Sequence, residues 1–158
     1  MLVRPLDESE RPWLAERLEA GWGAVHIARL GELRDASVLP ALVAERDGVP
    51  LGVLTYEVVG DAFEVMSIES WDEGSGVGTA LLAVAVDIAR AEGCRRFWLI
   101  TTNDNLRALR FYQRRGMRLV AVHRDAVAAA RALKPSIPLV GNHGIAVTDE
   151  LELEMLLR

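Results

Sequence analysis

One cysteine, Cys94, stands in the 158 residues. That excludes an internal disulfide and a thiolate metal cluster, and Cys94 reads as a small buried hydrophobe. Lysine is equally scarce: Lys134 is alone, and every other basic residue is Arg. Positive charge is in deficit overall, with a formal net charge of −5. That balance argues against a nucleic-acid partner and favours small or cationic ones. Long apolar runs are missing too. The longest, Ala80 to Val86, falls far short of the roughly 20 residues a membrane span needs. The opening "MLVRPLDESE" has no signal-peptide core, so the expectation is a cytoplasmic protein without a membrane partner. No repeat or low-complexity linker marks a boundary, which leads us to expect a single domain over 1–158.

What is present reads as mixed α/β. "LVRPL" suits a first strand, and "ESERPWLAERLEAGW" a helix with Trp13, Leu14 and Leu18 on one side. Between Trp22 and Pro40 the pattern is poor, with a short helix expected around Glu32 to Ala36. "ALVAERDGVPLGVLTYEVV" reads as strand, Asp47-Gly48 turn, strand, and "AFEVMSIES" as a third strand. Apolar residues at Val77, Leu81, Val84, Ala85 and Ile88 predict an amphipathic helix from Val77 to Glu92, stopped by Gly93. "RRFWLITT" is apolar enough for a central strand. Asn103 or Asp104 then caps a helix running to Arg115. "MRLVAVH" is a strand, "DAVAAARAL" a helix, "KPSIPLVGNHG" a loop and "ELELEMLL" a final strand.

Three glycines in five residues, within "DEGSGVGTALL" (Asp72 to Leu82), precede the long helix. Glycines let backbone approach an anion closely, and the N–H groups of a helix N-terminus favour negative charge. Three phosphate-binding patterns compete. The nucleoside-triphosphate loop needs a Gly-Lys pair and an earlier Gly, but position 73 is Glu and position 79 is Thr. The dinucleotide fingerprint fails as well, because Gly74-x-Gly76 leads to Thr79. It also wants an acid about 20 residues on, where the chain has Thr101, Thr102 and Asn103.

The third pattern fits. Gly74, Ser75, Gly76, Val77, Gly78 and Thr79, after a strand and opening a helix, resemble the pyrophosphate turn of the GNAT acetyltransferase superfamily. "NLRALRFYQRRGM", Asn105 to Met117, resembles that family's second segment, N-x-x-A-x-x-F-Y-x-x-x-G-[F/M], through Asn105, Ala108, Phe111, Tyr112 and Gly116. One position departs: residue 73, Arg or Gln in the family pattern, is Glu. The resemblance implies a central, mostly antiparallel sheet of six to seven strands, splayed in the middle and flanked by helices. It also implies acetyl-CoA as co-substrate and transfer of its acetyl group to a primary amine, of a small molecule or a protein, by direct attack in a ternary complex. Its chemistry needs no metal. A non-catalytic acyl-CoA binding or sensing domain is the alternative.

The resemblance further implies that a distorted strand before the turn offers backbone N–H groups to the cofactor, here Met66, Ser67 and Ile68. It places Asn105 against the pantetheine arm and Tyr112 beside the sulfur. Acetyl transfer to an amine needs a base, fixed donors for the carbonyl oxygen and a donor for the leaving thiolate. Tyr112 is the candidate for the thiolate. Glu64 is the candidate base, with Glu69 its competitor. His26 has a convenient intrinsic pKa but lies in a poorly patterned region. The insertion "RDAVAAARAL" followed by "KPSIPLVGNHG" is expected to shape the acceptor pocket or a homodimer contact, with Pro135 and Pro138 stiffening it and Gly141 and Gly144 loosening it.

Overall fold

The computed structural model describes residues 1–158. Its elements in chain order are β1 (Leu2–Pro5), α1 (Arg11–Trp22), β2 (His26–Arg29), β3 (Glu32–Asp35), β4 (Ala41–Arg46), β5 (Val49–Val59) and β6 (Ala62–Ser70), then α2 (Val77–Ala91), β7 (Arg96–Thr102), α3 (Leu106–Arg114), β8 (Arg118–His123), α4 (Ala126–Leu133) and β9 (Glu150–Leu156). Seven strands make one sheet in the order β1-β4-β5-β6-β7-β9-β8, and β2-β3 form a separate ribbon. The fold is therefore mixed α/β around a mostly antiparallel sheet, as the sequence led us to expect. The chain folds into two compact units. One comprises Met1–Val25, Asp35–Phe97 and Leu156–Arg158, the other His26–Arg34 and Trp98–Met155.

In the first unit, β1, β4, β5 and β6 pair antiparallel. The β4–β5 hairpin closes through Asp47 and Gly48, both with positive φ (53° and 78°). That two-residue turn matches the twist of the strands it joins. Val43, Val53, Leu54, Phe63 and Phe97 are buried, with Leu14 and Leu18 of α1 and Leu81 and Ala85 of α2. Phe63 stacks on both Tyr56 (centroids 4.4 Å) and Phe97 (5.1 Å). Gly52 has a packing role that periodicity does not reveal. A Cβ there would stand 2.6 Å from the Glu69 carbonyl oxygen and 2.7 Å from Val77 Cγ1. The missing side chain lets the first turn of α2 lie close against β5.

In the second unit, β8 and β9 pair antiparallel, with an irregularity between Leu119 and Ala121. The helix expected around Glu32 to Ala36 is not there. Glu32–Asp35 is strand β3, followed by a single 3-10 turn over Ala36–Val38. Leu30 and Gly31 both adopt positive φ (49° and 71°) and close a two-residue turn between β2 and β3. Two tethers hold the ribbon: the Leu30 N–H donates to Glu150 Oε1 (2.9 Å), and Lys134 Nζ donates to the His26 carbonyl (2.9 Å).

Candidate functional site

The first unit carries the glycine turn. Strand β6 leads to it through a bulge: Thr55 pairs with Ser67 and Tyr56 with Val65, so the register passes over Met66. A bulge leaves one residue outside the ladder and turns its backbone groups away from the neighbouring strand. The skipped residue begins the Met66-Ser67-Ile68 segment picked out in the sequence. Met66 and Ser67 are buried, and Ser67 Oγ lies 2.5 Å from Thr55 Oγ1 across the strand pair.

Beyond β6 the chain turns through Gly74 and Gly76, with φ of 78° and 84°. These values are left-handed, where a Cβ collides with the backbone and glycine is favoured. A Cβ at either residue would meet nothing within 4 Å, so the requirement is conformational and the space beside the turn is open. Ser75 Oγ donates to the Asp72 carbonyl (2.5 Å) and holds the turn. Gly76 is the N-cap of α2, no side chain caps that helix, and its first turn has no acidic residue. The first helical bond is Ala80 N–H to the Gly76 carbonyl, 2.9 Å. The N–H groups of Val77 and Gly78 therefore lie outside the helical ladder at the positive end of the helix dipole. An uncapped helix N-terminus beside a left-handed glycine turn is chemically suited to a diphosphate.

Glu64 lies on β6 in the same unit, 5% exposed and opposite Glu57 in the strand register. Glu69, five residues nearer the turn, is half-buried against Gly21 of α1.

The second unit carries the other two predicted side chains. Asn105, rather than Asn103 or Asp104, caps α3. Its Oδ1 accepts from the Ala108 N–H (3.3 Å), and its Nδ2 donates to Thr101 Oγ1 (3.2 Å). The two earlier residues are held by more distant chain. Asn103 Oδ1 accepts from the N–H groups of Thr148 and Asp149 (3.0 Å each), and its Nδ2 donates to the Ala146 carbonyl (2.9 Å). Asp104 accepts from Thr102 Oγ1 (2.5 Å) and from both the backbone N–H and the side chain of Asn142 (3.0 Å each). Burial acts to raise the Asp104 pKa, but these hydrogen bonds together bring it below the usual carboxylate range.

Tyr112 is buried on α3, with its ring edge-on to Phe111 (centroids 5.3 Å). Phe111 in turn lies under the Arg115 guanidinium, 3.7 Å away. Burial alone pushes the Tyr112 phenol well above its ordinary value. It stays neutral through the physiological range, and a neutral phenol has an O–H to donate.

The insertion after β8 is firmly held. Arg131 donates to the carbonyls of Ile137, Pro138 and Val147 (3.0–3.1 Å), and Val140 bridges Ala146. Gly141 does not loosen the loop as expected. Its φ is −110°, and its missing side chain makes room for the Asp104 carboxylate.

Sequence reasoning missed the hub role of Asp104, whose signal is the small Gly141 beside Asn142. It also missed a cluster of Trp13, Arg17 and Trp71 in the first unit, signalled only by the four-residue spacing of Trp13, Arg17 and Gly21.

Comparison with known proteins gives the family. The family model described as "Acetyltransferase (GNAT) family" matches residues 4–117, and the chain belongs to that family. It is an acetyltransferase. The uncharacterized protein YdhI of Bacillus subtilis (strain 168) is 37% identical over 152 residues, covering 96% of this chain and 95% of that protein. Among solved structures, the IAA acetyltransferase from Bacillus cereus ATCC 14579 superposes with a TM-score of 0.68 at 23% identity, covering 99% of both chains. A Bacillus subtilis acetyltransferase in complex with CoA superposes at 0.70 and 17% identity, covering 99% of this chain and 98% of that one.

Proposed function

We propose that the chain transfers the acetyl group of acetyl-CoA to a primary amine, of a small molecule or a protein amino group, by direct attack within a ternary complex. The observation that carries this reading is the uncapped N-terminus of α2, opened by left-handed Gly74 and Gly76 directly after the bulged strand β6. In this reading the backbone of Gly74, Ser75, Gly76, Val77, Gly78 and Thr79 holds the diphosphate. The backbone of Met66, Ser67 and Ile68 faces the acyl end, and Asn105 faces the pantetheine arm. The solved relative holding CoA supports the choice of ligand.

The amine nitrogen attacks the thioester carbonyl carbon. A C–N bond forms, the C–S bond breaks, and the products are an amide and the free thiol. Glu64 takes the proton that the ammonium must lose, either directly or through water. Backbone N–H groups at the bulge meet the negative charge growing on the carbonyl oxygen. Tyr112 donates a hydrogen bond to the departing sulfur. With its phenol pKa raised by burial above that of a free thiol, near 8.5, complete proton transfer to the thiolate is uphill. The phenol stabilises the sulfur by hydrogen bonding, and the proton released from the amine ends on the thiol by way of solvent.

Two measurements test the reading. Acetyl-CoA should raise the melting temperature through binding linkage, and free thiol should appear when pooled amines and peptides are supplied. Absence of binding rejects it. Binding without thiol release from any of them rejects the primary-amine acceptor.

A further inference from the structure

Arg17 Nε, Glu69 Oε2 and Trp71 Nε1 are covered polar atoms with no hydrogen-bond partner. All three lie in the first unit and in one cluster. The Arg17 guanidinium sits 4.2 Å from the centroid of the Trp71 ring, and Trp13 meets the same ring edge-on at 6.0 Å and 84°. A Cβ on Gly21 would stand 2.6 Å from Glu69 Oε1 and 2.8 Å from Oε2. Trp13, Arg17 and Gly21 recur at every fourth residue of α1, so one stripe of that helix runs along Glu69 and Trp71. Strand periodicity puts those two on one face at the end of β6. The Trp71 N–H extends the ladder by donating to the Leu51 carbonyl, 2.8 Å.

Covered donors and acceptors left unmet are costly, and native structures keep few of them without a reason. Here two donors and one carboxylate oxygen are left unmet beside two indole rings, on side chains that are themselves only partly exposed. A single carboxylate makes a poor cation site. A ligand answering all three atoms carries a donor nitrogen and an accepting oxygen. Glu69 and Trp71 are two strand residues apart, about 7 Å along the chain, so that nitrogen and oxygen are separated by only a few bonds.

We propose that Trp13, Arg17, Gly21, Glu69 and Trp71 form the acceptor subsite, built for an amine with a carboxylate or carbonyl oxygen close to its nitrogen, as in an amino acid or aminoacyl group. The proposal rests on the acetyltransferase reading above. The nitrogen donates to Glu69 Oε2, and the oxygen accepts from Arg17 Nε–H and Trp71 Nε1–H. Trp13 supplies the apolar wall. Gly21, by lacking a side chain, gives the Glu69 carboxylate its place.

The test uses matched acceptors, leucine and leucinamide against isoamylamine, which lacks the carbonyl carbon, with thiol release as the assay and acetyl-CoA affinity measured separately by calorimetry. Wild type should turn over leucine or leucinamide with kcat/KM at least tenfold above isoamylamine. Trp71→Phe, which keeps an aromatic ring but loses the N–H, should bring that ratio to within twofold of one. Glu69→Gln and Gly21→Ala should raise acceptor KM at least fivefold, with kcat within about twofold and acetyl-CoA affinity unchanged. Equal use of the matched pair by wild type, an unaltered ratio in Trp71→Phe, or acetyl-CoA binding with turnover of none of the three amines overturns the subsite. Failure to bind acetyl-CoA at all overturns the reading beneath it, and the calorimetric arm separates the two.

Discussion

Gly141 is packed against Asp104 so closely that a Cβ at position 141 would fall inside the Asp104 carboxylate. The same carboxylate receives Asn142 through both its backbone and its side chain. One acidic residue at the start of α3 thus anchors a loop nearly forty residues away in the chain. Gly141→Ala must displace the carboxylate and break this clasp. Loss of a buried, charge-assisted set of hydrogen bonds predicts a destabilisation of about 1.5–3 kcal/mol, read from chemical denaturation. Asp104→Asn keeps the shape but loses the charge, and it should abolish the part of acid sensitivity due to this group. The native Asp104 pKa lies below its unfolded value. Its contribution is therefore complete above the ordinary carboxylate range and disappears as pH falls through the native value. Wild type should lose stability over that acid window, and the variant should lose less.

Glu150 carries the opposite sign. It is 2% exposed, and burial raises its pKa against the opposing effects of the Leu30 N–H, His123 and Arg29. A carboxyl whose folded pKa exceeds its unfolded one contributes fully below the unfolded value and loses that contribution as pH rises through the folded value. Glu150→Gln retains an acceptor for the Leu30 N–H without a charge to desolvate. The melting-temperature difference, variant minus wild type, should grow as pH rises from about 4 toward 7. A flat difference would mean that Glu150 does not titrate in this range.

Gly74→Ala and Gly76→Ala each force a Cβ into a left-handed conformation, at a cost of about 1–2 kcal/mol. The resulting strain falls on the backbone proposed to hold the diphosphate. Acetyl-CoA affinity by calorimetry should drop about tenfold or more, while the acceptor KM of the residual activity stays nearly constant.

Tyr112→Phe removes a buried phenol that carries no charge at neutral pH. The fold should survive, with a circular dichroism spectrum like that of wild type. The value of kcat should fall by at least about tenfold, the kinetic equivalent of one hydrogen bond to the leaving sulfur, with acetyl-CoA affinity little changed. Because the phenol stays protonated, the pH–rate profile should keep the same alkaline limb in both proteins.

The regular parts of the chain were legible because local and tertiary preferences agree in them. Apolar spacing located α2, and Asp47-Gly48 located the β4–β5 hairpin. The irregular parts resisted for specific reasons. Asn103, Asp104 and Asn105 are all residue types that cap helices, and nothing local decides among them. Partners at 142–149 claim the first two and leave the cap to Asn105. Leu30-Gly31 lacks the Asn-Gly or Asp-Gly signature of a tight hairpin, so β2 and β3 stayed hidden. Gly141 looked like a flexible residue because a sequence cannot show which distant atom needs its space. At the candidate site, the glycine turn and the bulged strand could be located through motif resemblance. The meeting of Arg17 with Trp71 depends on packing α1 onto the end of β6, and no spacing rule encodes it.

Gly52 touches neither the turn glycines nor any proposed reacting group, yet it acts as a shim of zero thickness beneath the helix they open. Any thicker residue there must lift Val77 or press on the Glu69 carbonyl. The height of the proposed anion cradle is therefore set from beneath, on the face of β5 that carries α2, by a position that a survey of ligand-facing residues would pass over. Drift at residue 52 is therefore expected to retune affinity at the proposed diphosphate site while every motif residue stays intact.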